Sequence, residues 1–230
     1  MNTLQTVLVV VAHPDDEVLG CGAAIARLSM EGNAVYIAIL GEGVTSRYNN
    51  SSETNKAELE ILHSSSRKVA NLLGARDLFM FNLPDNQFDT IPLLDVAKKV
   101  EGLVAKLNPS VIYTHWAGDL NVDHVITHRA VMIATRPTPG QPVREVYGFE
   151  VLSSTEWAFG QFQGAFNPNV FIDVQSTLEK KISAMEVYEG EARPFPHPRS
   201  LEVLRSLAVM RGSQVGLQMA EAFASIRIIK

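Results

Sequence analysis

Residues 7–17 read VLVVVAHPDDE, an aliphatic run followed at once by a polar cluster. The run over residues 7–12 is rich in β-branched side chains and shows no polar alternation, which predicts a strand buried on both faces of a parallel sheet. In open α/β sheets, ligands bind at the carboxyl ends of the strands. We therefore expect the polar cluster of residues 13–17 to lie at a functional edge of the sheet.

The rest of the chain repeats this alternation, which predicts an α/β fold with a mostly parallel sheet flanked by helices. Further strands are predicted over residues 34–40, 77–81 and 111–114, and helices over residues 20–30, 56–73, 92–107 and 123–135. The less regular C-terminal part has predicted strands over residues 145–152, 169–174 and 224–229 and helices over residues 176–189 and 200–211. Ser176 and Glu179 have the spacing of a capping box. Because no linker or repeat divides the sequence, residues 1–230 are predicted to form a single domain.

The composition argues against several classes of protein. Hydrophobic residues make up 46% of the chain and charged residues 20%, which allows a substantial core and disfavours disorder. The net charge is -5 and no basic stretch interleaves with aromatic residues, so a nucleic-acid partner is not expected. Cys21 is the one cysteine, which excludes an intrachain disulfide and fits a reducing compartment. The N-terminal apolar run is short and lacks a basic segment, so we expect no membrane span and a cytoplasmic location.

His13, Asp15 and Asp16 place one imidazole and two carboxylates within four residues, a combination that suits a divalent metal ion. Pro14 stiffens the turn between them. His13 and Asp16 can then face one centre while Asp15 stays free. The alternative is that Asp15 or Asp16 only caps the helix that follows, since acidic residues favour helix N-termini.

The loop after the fourth predicted strand, residues 114–124, reads THWAGDLNVDH and lies at the same edge by topology. His124 completes a set of two histidines and one carboxylate, which leaves a further position for water, as in catalytic zinc sites. The alternative is that His124 is an exposed helix residue. Two metal-competent clusters at adjacent strand ends favour the metal site.

The motif HPDDE after a strand, with a later Asp-His pair at residues 123–124, resembles the PIG-L (LmbE-like) family of deacetylases. The resemblance covers about the first two-thirds of the chain in the order of its elements and implies a Rossmann-like α/β fold. Members of the family remove acetate from N-acetylglucosamine units of larger conjugates. The resemblance further implies that His13, Asp16 and His124 bind Zn²⁺ and that Asp15 is the general base.

One position departs from that family. Many members carry a histidine two positions before the Asp-His pair, where it polarises the carbonyl or protonates an intermediate, and this chain has Asn121 there. Asn121 can donate a hydrogen bond but cannot transfer a proton at neutral pH. Either Asp15 handles both proton transfers, or another residue supplies the acid.

His197, in a proline-rich loop, is the first candidate for this acid, with a structural role in the loop as the alternative. His115 is the second candidate, although it adjoins a strand end. Asp123 is predicted to hold Asn121 or a ligand imidazole in place, or to be the N-cap of its helix. Both roles of Asp123 are compatible.

Several other residues at the same edge are candidates for substrate binding. Arg47, in the loop after the second strand, is predicted to bind a phosphate or carboxylate of the substrate, with a solvent-facing arginine as the alternative. Trp116 can stack on a sugar ring or simply pack. Asp85, Asn86 and Asp89 can bind sugar hydroxyls, although turn formation explains these residues slightly better.

The leading hypothesis is a zinc-dependent hydrolase that removes acetate from an N-acetylated amino sugar of the N-acetylglucosamine type. The second is a zinc hydrolase of another amide or ester, because the motifs specify metal and water but not the acyl group. The third is a non-catalytic Rossmann-like module that binds a sugar or nucleotide, although no glycine-rich phosphate motif follows the first strand. The expected partner is a small-molecule N-acetylated sugar conjugate. Relatives commonly associate, so by analogy a homo-oligomer is an open alternative for this chain.

Overall fold

The computed structural model describes residues 4–43 and 56–230, and it confirms the alternation of strands and helices. The strands are β1 (Thr6–Val11), β2 (Ala34–Gly41), β3 (Asp77–Leu83), β4 (Val111–His115), β5 (Glu145–Phe149), β6 (Val170–Asp173) and β7 (Ala220–Ile228). The helices are α1 (Asp16–Met30), α2 (Lys56–Leu73), α3 (Leu93–Leu107), α4 (Val122–Ala134), α5 (Leu178–Val187) and α6 (Leu201–Ser213). Within these described residues, every helix falls short of the length and apolar character that a membrane span requires.

The described strands form one seven-stranded sheet in the order β3-β2-β1-β4-β5-β7-β6. Strands β1 to β5 are parallel, and β7 runs antiparallel between β5 and β6. The predicted fold class, a mostly parallel α/β sheet flanked by helices, is therefore confirmed. The chain builds outward from β1 to β3 on one side and from β4 on the other. As a result, β1 and β4 are neighbours where the strand order reverses, which is the usual place for a ligand site.

Strand β1 is buried on both faces, as its aliphatic sequence predicts. Val7, Val9 and Val11 belong to the core on one side of the sheet, which also contains residues of α1, α2 and α5. Leu8 and Val10 belong to the core on the other side, together with residues of α3 and α4. Helices thus cover both faces of the sheet near β1, and the polar residues of the motif gather where this strand ends.

Helix α1 begins at Asp16, earlier than predicted, so the polar motif itself forms the first turn of the helix. The helix departs from helical geometry at the buried Cys21. At this break the amides of Ala23 and Ala24 donate hydrogen bonds to the carboxylate of Glu221, at 3.2 and 2.7 Å. Glu221 of β7 therefore accepts hydrogen bonds from amides that lie at the break in the helix.

Helix α5 is confirmed, but the predicted capping box is wrong. The N-cap is Thr177 rather than Ser176. The hydroxyl of Thr177 donates a hydrogen bond to the carbonyl of Ala23 at 2.9 Å, which ties α5 to the break in α1. A local sequence pattern does not reveal this contact because its partners lie 154 residues apart.

Gly20 lies where α1 passes close to Phe149 at the end of β5, and a substitution at Gly20 can test how tightly the two elements pack. A Cβ atom at Gly20 would lie 2.2 Å from Cδ2 of Phe149, whose side chain is fully buried. We expect Gly20→Ala to lower the free energy of unfolding by about 1–3 kcal/mol through overpacking. Chemical denaturation of the purified protein measures this change.

The matched control is Gly102→Ala in α3, where a Cβ atom would meet nothing within 4 Å. We expect this change to raise the free energy of unfolding by about 0.5–1 kcal/mol, because alanine favours the helix. Equal effects of the two substitutions would contradict the proposed packing constraint at Gly20.

Candidate active site

The loops that follow β1 and β4 meet at the point where the strand order reverses. Val10 of β1 pairs with Thr114 of β4. Just beyond this pair, the amide of Ala12 donates a hydrogen bond to Nε2 of His115 at 2.9 Å. His115 is fully buried, and burial lowers its pKa well below the usual value, so the ring is neutral. This contact gives His115 a structural role in joining the two loops.

The three predicted metal ligands converge at this junction. Nδ1 of His13 lies 3.4 Å from Oδ2 of Asp16, and Nε2 of His124 lies 3.3 Å from the same oxygen. All three side chains are buried, and their ligand atoms lie within 4.8 Å of one another. The group can therefore hold a metal ion.

The spacing of these atoms fits a tetrahedral ion. Zinc binds imidazole nitrogen and carboxylate oxygen at roughly 2.0–2.2 Å, so two ligand atoms of a tetrahedron lie roughly 3.3–3.6 Å apart. The observed separations of 3.3 and 3.4 Å agree with this range. Although burial acts to raise it, the charge and hydrogen bond of His124 hold the pKa of Asp16 well below its usual value. The carboxylate is therefore ionised, as a metal ligand must be.

A second carboxylate faces the far nitrogen of each ligand imidazole. Oδ2 of Asp123 lies 2.9 Å from Nε2 of His13, and Oδ1 of Asp119 lies 3.1 Å from Nδ1 of His124. Carboxylates in this position fix the orientation of an imidazole and make it a stronger ligand. Burial opposes the change, but Asp16 and Asp119 together raise the pKa of His124 to about 9. The sequence analysis singled out Asp123 for such a role and missed Asp119.

The N-cap of α4 is Asn121 rather than Asp123. Oδ1 of Asn121 accepts a hydrogen bond from the amide of Asp123 at 2.8 Å, and Nδ2 donates one to Oδ1 of Asn86 at 3.0 Å. Asp123 is fully buried and accepts hydrogen bonds from the amides of Asn86 and Phe88, at 2.7 and 2.9 Å. The predicted N-cap role of Asp123 is therefore wrong, and its predicted contact with a ligand imidazole is observed.

His13, Asp85 and Asp123 form a second group whose ligand atoms lie within metal-binding reach. Nε2 of His13 lies 3.1 Å from Oδ1 of Asp85. This group has a single imidazole, and both oxygens of Asp123 already accept backbone hydrogen bonds. The first group, with two imidazoles and one carboxylate, better fits the ligand set of a catalytic zinc ion.

Asp15 is a buried carboxylate beside the ligand group. Its φ of 100° lies in the left-handed region, which costs a residue other than glycine about 1–3 kcal/mol. Its amide donates to Oε2 of Glu17 at 3.1 Å, and Glu17 accepts a hydrogen bond from the hydroxyl of Tyr188 at 2.6 Å. Burial raises the pKa of Asp15 well above its usual value, and the nearby Arg199 opposes this rise. A strained, buried carboxylate in this position is a candidate for a functional role.

A cavity of about 180 Å³ opens beside these side chains. The described residues that line it are His13, Pro14, Asp15, Gly43, Leu62, Asp85, Asn86, Asn121, His124, Ser153, Ser154, Glu191 and Arg199. Asp85 and Asn86 therefore lie where the sequence analysis placed them, whereas Asp89 is exposed and outside this lining. Glu191 and Arg199 were not predicted, because no sequence motif marks them and they come from the C-terminal part of the chain.

Two predicted residues are absent from the described lining of this cavity. The ring of His197 packs against Trp157 with centroids 5.8 Å apart, and its Nδ1 accepts a hydrogen bond from the amide of Arg199 at 3.1 Å. The ring of Trp116 packs edge-on against a phenylalanine ring. The structure thus does not bring His197 or Trp116 to the candidate metal ligands. Arg47 lies outside the described residues.

The chain resembles known proteins in sequence. The sequence pattern of the PIG-L family, described as GlcNAc-PI de-N-acetylase, matches residues 8–135. A relative from Escherichia coli strain K12, described as "Uncharacterized deacetylase YaiS", is 30% identical over 195 residues, which cover 82% of this chain and 93% of the relative. The matched segment contains the candidate metal ligands and Asp15 but not Arg199.

Two solved structures share the fold. One is N,N'-diacetylchitobiose deacetylase from Pyrococcus horikoshii, with a TM-score of 0.76, 20% identity, and coverage of 97% of this chain and 84% of the other. The other is GalB, the 4-carboxy-2-hydroxymuconate hydratase of Pseudomonas putida KT2440, with a TM-score of 0.77, 22% identity, and coverage of 99% of both chains. One fold therefore carries two kinds of reaction, so the chemistry has to be argued from the site.

Asp123→Asn tests the role of the carboxylate behind His13. We expect the affinity for Zn²⁺ to fall about 10–100-fold, because the imidazole loses its charged partner. Competition against a chromophoric chelator measures this affinity. Asp89→Asn makes the same change at an exposed position nearby and is expected to bind zinc like the unmodified protein. Equal affinities of the two variants would contradict the assigned role.

Proposed function

The chain belongs to the PIG-L family of de-N-acetylases, and we propose that it is a zinc-dependent hydrolase that removes acetate from an N-acetylated amino sugar of the N-acetylglucosamine type. The observation that carries the proposal is the convergence of His13, Asp16 and His124 beside the buried carboxylate of Asp15. Family membership supports the type of reaction, and the geometry supports the roles of the residues.

His13, Asp16 and His124 are the proposed metal ligands. When bound, a divalent metal ion supplies an activated water molecule and polarises the carbonyl of the acetamide. Two imidazoles and one carboxylate form a set that zinc commonly takes in hydrolases. The choice of zinc rests on this donor set, which iron or cobalt also accepts.

Asp15 is the proposed general base. Its carboxylate accepts a proton from the attacking water as the new bond forms between oxygen and the carbonyl carbon. Burial raises the pKa of Asp15 above its usual range, which moves its basicity toward that needed near neutral pH. Asp15 then returns the proton to the amine nitrogen as the bond between carbon and nitrogen breaks. The products are acetate and a free amino sugar.

Asn121 is the proposed donor to the carbonyl oxygen of the substrate. It lines the cavity, and its Nδ2 group uses one N–H for Asn86, which leaves a second N–H without a partner among the described residues. Its Oδ1 caps α4, so the amide is held in a fixed orientation. His197 stays a sequence-based candidate for the acid, and the proposed mechanism does not require it, because Asp15 can carry both proton transfers.

The substrate class is proposed from the relatives and from the cavity. The similar structure from Pyrococcus horikoshii is named as a deacetylase of N,N'-diacetylchitobiose, which supports an N-acetylated sugar as the substrate here. Asp85, Asn86 and Ser153 offer hydrogen-bonding groups suited to sugar hydroxyls. Arg47 is proposed to bind an anionic part of the conjugate. Because the described strands form one sheet, we also propose that residues 1–230 form one catalytic domain.

Alternative reactions fit part of the same geometry. A metal ion and a base suit the hydrolysis of another amide or ester, and they also suit a hydration, the reaction that the name of GalB gives. A non-catalytic sugar-binding or nucleotide-binding module would need neither the metal ion nor Asp15. Product analysis separates these cases.

The direct test is an assay of the zinc-loaded protein against a panel of N-acetylglucosamine conjugates, with release of acetate as the readout. Asp15→Asn is expected to keep the zinc and to lower kcat by about 10²–10⁴-fold, because it removes the base and no ligand. His124→Ala is expected to lose zinc and activity together. Elemental analysis of each variant reports the zinc content.

Asp89→Asn is the control for the loss of one carboxylate, and we expect it to keep both zinc and activity. A near-normal rate for Asp15→Asn would contradict the assignment of the base. Turnover of another amide or of an unsaturated acid, without acetate release from any conjugate, would contradict the proposed reaction.

A further inference from the structure

Arg199 reaches the proposed base from a distant part of the chain. Nη1 of Arg199 donates hydrogen bonds to Oδ2 of Asp15 at 2.7 Å and to Oε2 of Glu191 at 3.1 Å. Nε donates to Oγ of Ser153 at 2.7 Å. The side chains of Arg199 and Asp15 are 22% and 4% exposed, so this ion pair is largely removed from water. Charge-assisted hydrogen bonds of this kind are strong and directional.

The backbone on both sides of Arg199 is fixed by the fold. Ser200 is fully buried and caps α6, with its Oγ accepting a hydrogen bond from an amide in the first turn. The amide of Arg199 donates to Nδ1 of His197 at 3.1 Å, and its carbonyl accepts a bond from the amide of Arg193 at 3.4 Å. These contacts fix the base of the side chain, so the guanidinium is held against the carboxylate of Asp15.

Arg199 also has a hydrogen-bond donor that no described residue accepts. Among the described residues that line the cavity, it is the one with a permanent positive charge. Its Nη2 group makes no hydrogen bond with any residue that the structure describes, whereas Nη1 and Nε are both engaged. The guanidinium can therefore hold Asp15 and still donate to an oxygen atom of a substrate.

On the basis of the deacetylase function proposed above, we propose that Arg199 is a catalytic residue that orients Asp15 and then stabilises the oxyanion of the acetamide. As the water oxygen bonds to the carbonyl carbon, an O–H bond of the water breaks and its proton passes to Asp15. The electron pair of the carbonyl double bond moves onto the carbonyl oxygen. Asp15 thus loses its negative charge in the same step in which the substrate oxygen gains one.

This proton transfer changes the sum of the charges that surround the guanidinium of Arg199. Before the step, Arg199 faces two carboxylates, Asp15 and Glu191, and the three groups carry a net negative charge. After the step, Glu191 alone balances the guanidinium, and the negative charge lies on the substrate. Asn121, the other proposed donor, is neutral, so among the described residues of the cavity Arg199 brings the permanent positive charge to the oxyanion. Such charges act strongly in a site that excludes water.

The test is the kinetics of Arg199→Ala in the zinc-loaded enzyme. We expect kcat to fall about 10²–10³-fold, because an oxyanion donor and the partner of the base are both lost. KM and the zinc content are expected to stay close to those of the unmodified enzyme, whereas the melting temperature should fall, because Asp15 and Glu191 lose the cation that they face. Added guanidinium ion is expected to restore activity on the order of tenfold, because it returns the same planar cation to the site.

Urea has a similar planar shape without the charge, and we expect it to restore nothing. Arg199→Lys keeps a positive charge but lacks the planar guanidinium that can donate to two acceptors at once. Its kcat should therefore lie between those of the alanine variant and the unmodified enzyme. Arg199→Gln is the second variant, for use where Arg199→Ala does not fold, and it is expected to show the same loss of kcat. The control is Arg193→Ala, which removes an exposed arginine from the same loop and should keep full activity.

Three results overturn this inference alone. The first is a kcat for Arg199→Ala and Arg199→Gln close to that of an active unmodified enzyme, and the second is equal rescue by urea and guanidinium. The third is loss of zinc together with activity in both variants, since Arg199 would then act on the structure of the site. An unmodified, zinc-loaded enzyme that releases no acetate would overturn the proposed function, and this inference with it.

Discussion

The candidate site depends on the pairing of β1 with β4. This pairing occurs where the strand order reverses, and it brings together two loops that are remote in sequence. The hydrogen bond from the amide of Ala12 to His115 extends the contact beyond the strands, across 103 residues of chain. His13 follows Ala12 directly, and His124 lies in the first turn of α4, at the end of the loop that begins after His115. With another strand order, their side chains would lie apart along the edge of the sheet.

The junction between the loops after β1 and β4 contains several buried carboxylates, and removing a charged group from water costs free energy. The fold offsets part of this cost with hydrogen bonds from its own backbone and hydroxyl groups. Asp123 accepts two amide hydrogen bonds, and Asp119 accepts bonds from the hydroxyls of Ser154 and Thr155. These carboxylates are therefore fixed in position and can hold the imidazoles that they face. A cation bound by His13, Asp16 and His124 would offset the negative charge that remains.

The sequence predicts the part of the site that follows from local rules. His13 and Asp16 come just after a strand whose composition marks it as buried, and His124 ends the loop that follows a second such strand, so both strands and ligands could be located. Contacts that do not follow a regular sequence pattern carry no such mark: Arg199 lies 184 residues from Asp15, and Asp119 faces His124 from the irregular loop that precedes α4. The sequence analysis selected the loop of His197, but the structure brings Arg199 of that loop to the cavity instead. Local patterns also misplaced the cap of α4, because Asp123 is drawn inward by contacts that only the tertiary structure creates.

The central claim is that two separate loops bind one metal ion through two histidines and one aspartate. Anomalous diffraction at the zinc absorption edge, from crystals of the protein grown with Zn²⁺, tests this claim most directly. We expect a single strong peak within bonding distance of His13, Asp16 and His124, with Asp15 close by and not bound. A peak between His13, Asp85 and Asp123, or no peak at this junction, would contradict it.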